Sequence, residues 1–350
     1  LPVANAQGSA SNISPSTVFS HGVASGDPDS SSVVIWTRIS GSEGALDTEW
    51  RVGTDERMFN IVATGSIQTD DSKDYTVKVV VKELDPGQQY FYDFRARGES
   101  SVIGRTKTLP VGHVENLVFA VVTCSNYAFG HFNVYEAIAN DLSVDLVVHL
   151  GDYIYEHGAD GFGADVASRI GRAHVPNHET LTLDDYRKRH AQYKTDVSSQ
   201  AMHAKQPLIV IWDDHETANN PWMNGAENHD PGEGDWNARR QASLQAYYEW
   251  LPIREPAAGG AKDEYWRHFK FGDLVSLITL ESRHTGRSRQ ISYGDYLPNL
   301  ENAEQAQEFK ESVLDDTRRN MLSEDMERFL AAELKESVNA GRRWRLIGNQ

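Results

Sequence analysis

Three short apolar runs in this chain each stop at polar or ionisable residues. Phe119-Ala120-Val121-Val122 runs into Thr123-Cys124-Ser125-Asn126, and Leu146-Val147-Val148-His149-Leu150 into Gly151-Asp152-Tyr153-Ile154-Tyr155-Glu156. Leu208-Ile209-Val210-Ile211 runs into Trp212-Asp213-Asp214-His215-Glu216. Apolar runs of this length without alternation read as buried strands. Helical patterns at Asn133 to Asn140, Leu183 to His203 and Trp236 to Trp250 alternate with them, which implies a central sheet with helices on its faces. In such a sheet, ligands bind outside the carboxyl ends of the strands. If the three strands are parallel neighbours, Cys124, Asp152, Tyr155, Asp214 and His215 converge along one edge. Adjacent ionisable groups there are unfavourable unless a cation or partner compensates them, so the pattern points to a metal site.

Residues 17–110 differ in character. Ser32 to Arg38 is rich in β-branched and aromatic residues, and Tyr75 to Val81 alternates with period two. Leu84-Asp85-Pro86-Gly87 is a turn signal ahead of Gln89 to Arg95. Short strands separated by turns predict a β-sandwich, and the turn leading into an aromatic strand resembles fibronectin type III and immunoglobulin-like domains. Leu109-Pro110-Val111-Gly112 marks the boundary, and residues 112–350 read as α/β. There, Tyr265 to Phe271 and Leu274 to Leu280 form a strand pair about Gly272-Asp273, and a helix from Met326 to Val338 precedes a last strand. Residues 1–16 read as the tail of an export signal or as a flexible N-terminus, because Ala4-Asn5-Ala6 fits the small-residue pattern before a signal-peptidase cut.

With 34 basic and 51 acidic side chains the net charge is −17. That argues against nucleic-acid scaffold binding, which needs a basic surface, and against an anionic membrane surface. Bound metal ions would supply the local positive charge that an anionic substrate requires. Cys124 is the one cysteine, so there is no intrachain disulfide. No apolar run reaches membrane-spanning length.

Asp152 follows Gly151, where compact backbone lets an ion approach, and its two oxygens can bridge two metals. Tyr155 can supply a phenolate to a ferric ion, and Asp214 a second hard oxygen. His215 can bind metal, stabilise a phosphoryl oxygen or act as a general acid. Cys124 as a thiolate suits iron or another thiophilic metal. Singly, each has a structural alternative: an inert buried thiol, an Asx-capped turn, a core tyrosine, an acidic helix N-terminus. The joint pattern is more specific than its parts. His149, inside an apolar strand, reads as a core histidine. His157, His174 and His178 lie in a Gly-rich stretch that either borders the site or is a solvated loop. Arg283 or Arg287 either reaches a phosphate or lies on the surface.

At these residues the chain resembles the PhoD-like alkaline phosphatase/phosphodiesterase family within the calcineurin-like metallophosphoesterases. The matching pieces are Gly22-Val23-Ala24-Ser25-Gly26-Asp27-Pro28, Val34-Ile35-Trp36-Thr37-Arg38, Cys124-Ser125-Asn126, Gly151 to Glu156, Tyr186-Arg187 and Trp212 to Glu216. The resemblance implies an N-terminal sandwich domain followed by a four-layer α/β/β/α metallophosphoesterase core, and export, often by the twin-arginine route, to the periplasm or beyond. It implies iron (Fe3+) partnered by calcium or another divalent cation. Carried over by position, Cys124, Asp152 and Tyr155 match iron-side ligands, Asp214 a ligand of the second metal, and His215 the histidine near the phosphate. Asn126 and Asn219 are candidates for substrate binding. The family completes its site with a later Gly-Asp-x-His type motif, whereas no histidine follows His284 here. The expectation is that the chain reads as C-terminally incomplete and, as it stands, binds metal weakly and turns over little, while the full-length protein is active.

The function expected is a secreted, metal-dependent phosphoric ester hydrolase acting on phosphate monoesters or diesters as a monomer. The alternatives are a phospholipase D-like or nucleotide phosphodiesterase on the same fold, and a non-enzymatic β-sandwich binding protein.

Overall fold

The computed structural model describes residues 16–292 and 302–350. The expected export tail therefore lies, except for Ser16, outside the described residues.

The first part of the chain forms β1 (Val23–Gly26), β2 (Val33–Arg38), β3 (Leu46–Gly53), β4 (Ile61–Thr69), β5 (Thr76–Val81), β6 (Gln89–Ala96), β7 (Glu99–Ser100) and β8 (Gly104–Lys107). Strands β4-β3-β6 form one antiparallel sheet, with β7 and β8 paired to β6, and β5-β2-β1 form the facing layer. Period-two alternation sends Val33, Ile35, Val52, Val77, Tyr92 and Phe94 into a shared core between them. This is the expected β-sandwich.

The α/β part contributes three parallel strands, β9 (Phe119–Val122), β10 (Leu146–His149) and β11 (Leu208–Val210). Helix α1 (Asn133–Asn140) crosses from β9 to β10. Between β10 and β11 come α2 (Ala164–Ile170), α3 (Leu183–Lys194) and α4 (Val197–Lys205), and α5 (Trp236–Trp250) follows β11. The single helix expected from Leu183 to His203 is two helices. Asp196 accepts hydrogen bonds from the backbone of Ser198 and Ser199, capping a new helix, and pairs with Arg172 at 2.8 Å.

The sandwich and the parallel strands share one sheet. Its order is β5-β2-β1-β11-β10-β9, joined where Gly26 of β1 pairs in parallel with Leu208 of β11. The other face of β1 and β2 presents Ala24 and Trp36 to Trp250 of α5. The Trp36 indole donates to the Glu249 carbonyl at 2.8 Å.

Alternation along β10 divides the core. Val147 packs with Tyr186, Tyr193, Met202 and Leu244 from the helices. Leu146 and Val148 face Phe269, Phe271, Val275 and Leu277 of a second sheet. That sheet consists of β14 (Arg267–Phe271), β15 (Val275–Thr279) and β16 (Trp344–Gly348), after two short strands, β12 (Pro221–Trp222) and β13 (Gly225–Ala226). Strands β14 and β15 are antiparallel about Gly272-Asp273 and β15 pairs in parallel with β16. The far face of β15 meets the helix Glu324–Asn339 through Ile278, Met326 and a Ser276–Ser337 hydrogen bond. Among the described residues, no helix is long and apolar enough to cross a membrane.

Candidate active site

Strands β9, β10 and β11 end side by side, and their C-terminal extensions are stitched together. Leu150 N donates to Val122 O at 2.8 Å, Cys124 N to Gly151 O at 3.1 Å and Ser125 N to Asp152 O at 3.0 Å. Gly151 has φ 97°, and a Cβ there would sit 2.4 Å from Asp213 N. Only glycine lets the β10 turn pass this close to the β11 turn. Cys124 (φ 58°) and Asp152 (φ 53°) hold left-handed backbone without being glycine, at about 1–3 kcal/mol each. The two strained residues are neighbours and both turn polar atoms to one point.

That point is the buried Asp152 carboxylate. Its Oδ2 accepts from the Tyr155 hydroxyl at 2.9 Å and the Cys124 thiol at 3.4 Å, and its Oδ1 from the His215 backbone N–H at 3.3 Å. Asp214 is also buried and accepts from Asn220 N at 2.9 Å. Ligand atoms of Asp152, Asp214 and His215 all lie within 4.8 Å of one another. The structure therefore brings Cys124, Asp152, Tyr155, Asp214 and His215 together.

The electrostatics show a surplus of negative charge. Burial first, then the charges of Asp214 and Asp213, push the Asp152 carboxyl up to about 7 against the pull of His215. Burial likewise raises Asp213, and raises Glu216 well above the carboxylate range. Burial and the Asp152 charge push the Cys124 thiol up, and the same causes raise the Tyr155 phenol. Such groups ionise together only beside added positive charge. The donor set of thiol, phenol, two carboxylates and imidazole suits a metal cation.

His215 stacks on Tyr155 with ring centroids 4.3 Å apart, and its Nδ1 meets Glu156 at 2.6 Å. Burial alone would lower its pKa, but the Glu156 hydrogen bond and charge, helped by Asp214 and Asp152, raise it to about 9. Burial opposes ionisation of Glu156, yet the same hydrogen bond and the charges of His215 and His157 bring it down to about 2. The pair is a carboxylate–imidazolium couple with a fixed ring.

The two asparagines sit differently. Asn126 lines the cleft beside Cys124; its Oδ1 caps the short 3-10 turn by accepting from Ala128 N, and its buried Nδ2 has no partner among the described residues. Asn219 touches the site through its backbone, donating to Glu156 at 2.7 Å, while its side chain faces Glu227. His149 is a core histidine bonded to the Tyr135 hydroxyl at 2.8 Å. His157 borders the site, its ring 5.3 Å from that of His215, whereas His174 is buried against Tyr193 and His178 is exposed.

Several contacts around the site become visible only in the structure. Glu156 follows Tyr155, but only the turn geometry reveals that it faces His215. Glu216 folds back to accept from Tyr153 N at 2.6 Å and Asp213 N at 2.9 Å, locking two turns together. Arg283, seventy residues on, donates from Nε to Asp213 at 2.7 Å and approaches Asp214 to 3.9 Å. It neutralises part of the acid cluster rather than lying on the surface. A third acidic group, His268 with Glu333 and Glu336, lies between β14 and the helix Glu324–Asn339. There Glu336 is already held by Arg342 at 2.6 Å and Lys270 at 3.3 Å, so the charges balance without an ion.

Two family models match the chain. The PhoD-like phosphatase model matches residues 119–350, and the model of the N-terminal domain of PhoD-like phosphatases matches residues 4–110. The chain belongs to the PhoD-like phosphatase family. Within this family it is 34% identical over 344 residues to a protein named alkaline phosphatase D from Bacillus subtilis (strain 168), covering 95% of this chain and 55% of that one. A solved structure of PhoD superposes with a TM-score of 0.78 at 33% identity, covering 97% of this chain and 63% of that chain. This PhoD-like chain thus spans a little over half the length of the curated relative it matches.

Proposed function

We propose that the full-length protein is a secreted, metal-dependent phosphoric ester hydrolase, an alkaline phosphatase or phosphodiesterase, with this site as its reaction centre. The observation that carries the reading is the convergence of Cys124, Tyr155, His215 and Asp214 on a buried Asp152 held in left-handed backbone. The family supports the chemistry. In this reading residues 17–110 are a distinct N-terminal domain and residues 112–350 a metallophosphoesterase core. Its helices, two sheets and outer helix would be the four layers α/β/β/α.

Cys124, Asp152 and Tyr155 would hold iron (Fe3+), with Asp152 as the bridge, and Asp214 would hold calcium or another divalent ion. When bound, such ions would polarise a phosphoryl group and make water a stronger nucleophile at moderate pH. The chain's own residues do the rest. Gly151 and Glu216 fix the two turns so that Asp152 and Asp214 keep their spacing. Glu156 holds Nδ1 of His215, leaving Nε2 to carry a proton toward the departing ester oxygen as a general acid, or to stabilise phosphoryl oxygens by charge. Asn126, on the cleft wall beside Cys124, and Asn219 would belong to the substrate shell. The reading includes export to the periplasm or the cell exterior by the twin-arginine route, and action as a monomer.

The test is elemental analysis of the full-length protein with p-nitrophenyl phosphate and bis-p-nitrophenyl phosphate assays. Bound iron, a purple or yellow colour from Tyr155, and hydrolysis lost in Asp152→Ala are expected. A metal-free protein whose properties survive Asp152→Ala would instead be a β-sandwich binding protein.

A further inference from the structure

The cleft beside the reaction centre has a wall that the phosphoryl chemistry does not use. It encloses about 680 Å3 and is lined at one end by Cys124, Asn126 and Tyr155. At the other end stand Phe129 and Phe162, 45% and 60% exposed, with ring centroids 4.7 Å apart and planes tilted by 50°. Exposed phenylalanines in van der Waals contact are unfavourable in water unless something covers them.

The pair is built rather than incidental. Phe129 closes the 3-10 turn Tyr127–Phe129 that Asn126 caps. Phe162 lies between two glycines in the loop after β10. At Gly163 (φ 94°) a Cβ would lie 2.7 Å from the Phe129 ring, and at Gly161 one would lie 3.0 Å from the His157 side chain. Both neighbours of Phe162 are thus shaved to let the loop close onto Phe129 and His157. The rings then form a continuous path from the reaction centre. His215 lies 5.3 Å from His157, His157 6.0 Å from Phe162, and Phe162 4.7 Å from Phe129.

We infer that Phe129 and Phe162 form a subsite for a planar ring, aryl or nucleobase, carried on the organic group esterified to the phosphate. This deepens the phosphoesterase reading and rests on it. Continuity with Cys124, Asn126 and Tyr155 assigns the occupant to the substrate rather than to a separate ligand. The tilted, half-exposed faces suit a third ring entering edge-on or offset-stacked. The pair acts by binding and leaves the reacting atoms to the strand-end residues, so its loss raises KM more than it lowers kcat.

The experiment uses the full-length protein with bis-p-nitrophenyl phosphate and with glycerophosphoglycerol, a diester without a ring. Phe162→Leu keeps apolar bulk and removes the ring face. It should lose roughly fivefold to tenfold in kcat/KM on the aryl diester, through KM, and change less than about twofold on the glycerol diester. Phe162→Tyr restores the ring and should restore the aryl value. Because Phe162 is largely exposed, an unchanged melting temperature is expected and separates lost binding from lost folding. Equal losses on both diesters, or full aryl activity in Phe162→Leu, overturn the subsite while leaving the phosphoesterase standing. Failure of the unsubstituted protein to hydrolyse either diester or p-nitrophenyl phosphate overturns both.

Discussion

Strand β10 delivers ionisable side chains to two opposite environments within four residues. His149 points into the helix layer and meets the ring of Tyr153, which also touches His190, His203 and Lys194, all of them buried. Burial lowers the His149 and His190 pKa values to about 3, and those of His203 and Lys194 well below their usual ranges. Among the described residues the Lys194 amine has no hydrogen-bond partner, and it lies over the rings of Trp36 and Tyr153 at 4.8 and 5.5 Å. Asp152 turns instead to the strand end, beside the exposed Cys124 and an open cleft. One cluster resolves the conflict between charge and burial by becoming neutral. The other holds carboxyls pushed up by burial and by one another beside an imidazolium, where a cation can arrive from solvent and displace their protons. Access, rather than the number of titratable groups, separates a sealed polar core from a reactive centre.

The largest effect should come from discharging the open cluster. In the full-length protein, Asp152→Asn should reduce phosphoesterase kcat/KM on the order of a thousandfold and abolish metal retention. In the metal-free state the same variant should melt higher than the parent, because one of several mutually repelling acids is gone. Calorimetry with and without chelator checks this, and a lower metal-free melting temperature would show that the surplus charge is not uncompensated. Glu156→Gln should follow, with a loss of roughly ten- to a hundredfold in kcat and unchanged metal content, because it frees the His215 ring without removing a ligand. Unchanged kcat would detach His215 from the reaction.

The sealed cluster should answer to pH. In the folded state His149 and His190 take up protons only near pH 3, whereas in the unfolded chain they do so from about 6.5. The unfolded state therefore binds more protons across that window. Stability from these groups is complete above pH 6.5 and falls as pH drops toward 3, by up to about 1.4 kcal/mol per pH unit for each histidine. Denaturant midpoints from pH 7 to 4 should show His190→Phe flattening this slope by one histidine's share; an unaltered slope would mean that His190 does not stay neutral. The smallest effect on activity, none, is expected at Lys194→Met. Stability at pH 7 should rise, because the folded state no longer has to strip a proton from a buried amine, and a loss of stability would reveal a partner for the amine.

Much of this contrast was legible in the sequence. Apolar runs that stop at Cys124, Gly151-Asp152 and Asp213-Asp214 announced both the strands and their polar ends, because burial and charge are read directly from residue type. What stayed hidden depends on backbone direction. Glu156 and Glu216 are ordinary acids in a row of polar residues until the left-handed turns at Asp152 and Cys124 aim them inward. Arg283 reaches Asp213 from seventy residues away, a distance over which no periodicity helps. The break at Asp196 was masked because helix-compatible residues continue on both sides of the cap. The joining of the two sheets through Gly26 and Leu208 likewise depends on contacts between distant segments, invisible to local pattern.

That joint bears on modularity. Gly26 meets Leu208 so closely that a Cβ would sit 2.4 Å from the Leu208 carbonyl, and the next residue's N–H donates to that carbonyl at 2.9 Å. The sandwich therefore guards one border of the sheet that holds the proposed reaction centre. Stripped of it, Leu208-Ile209-Val210 would become a bare apolar edge, a template for pairing with other chains. Residues 112–350 would then be expected to aggregate rather than to fold alone, so the two regions have to be inherited, expressed and engineered as one piece.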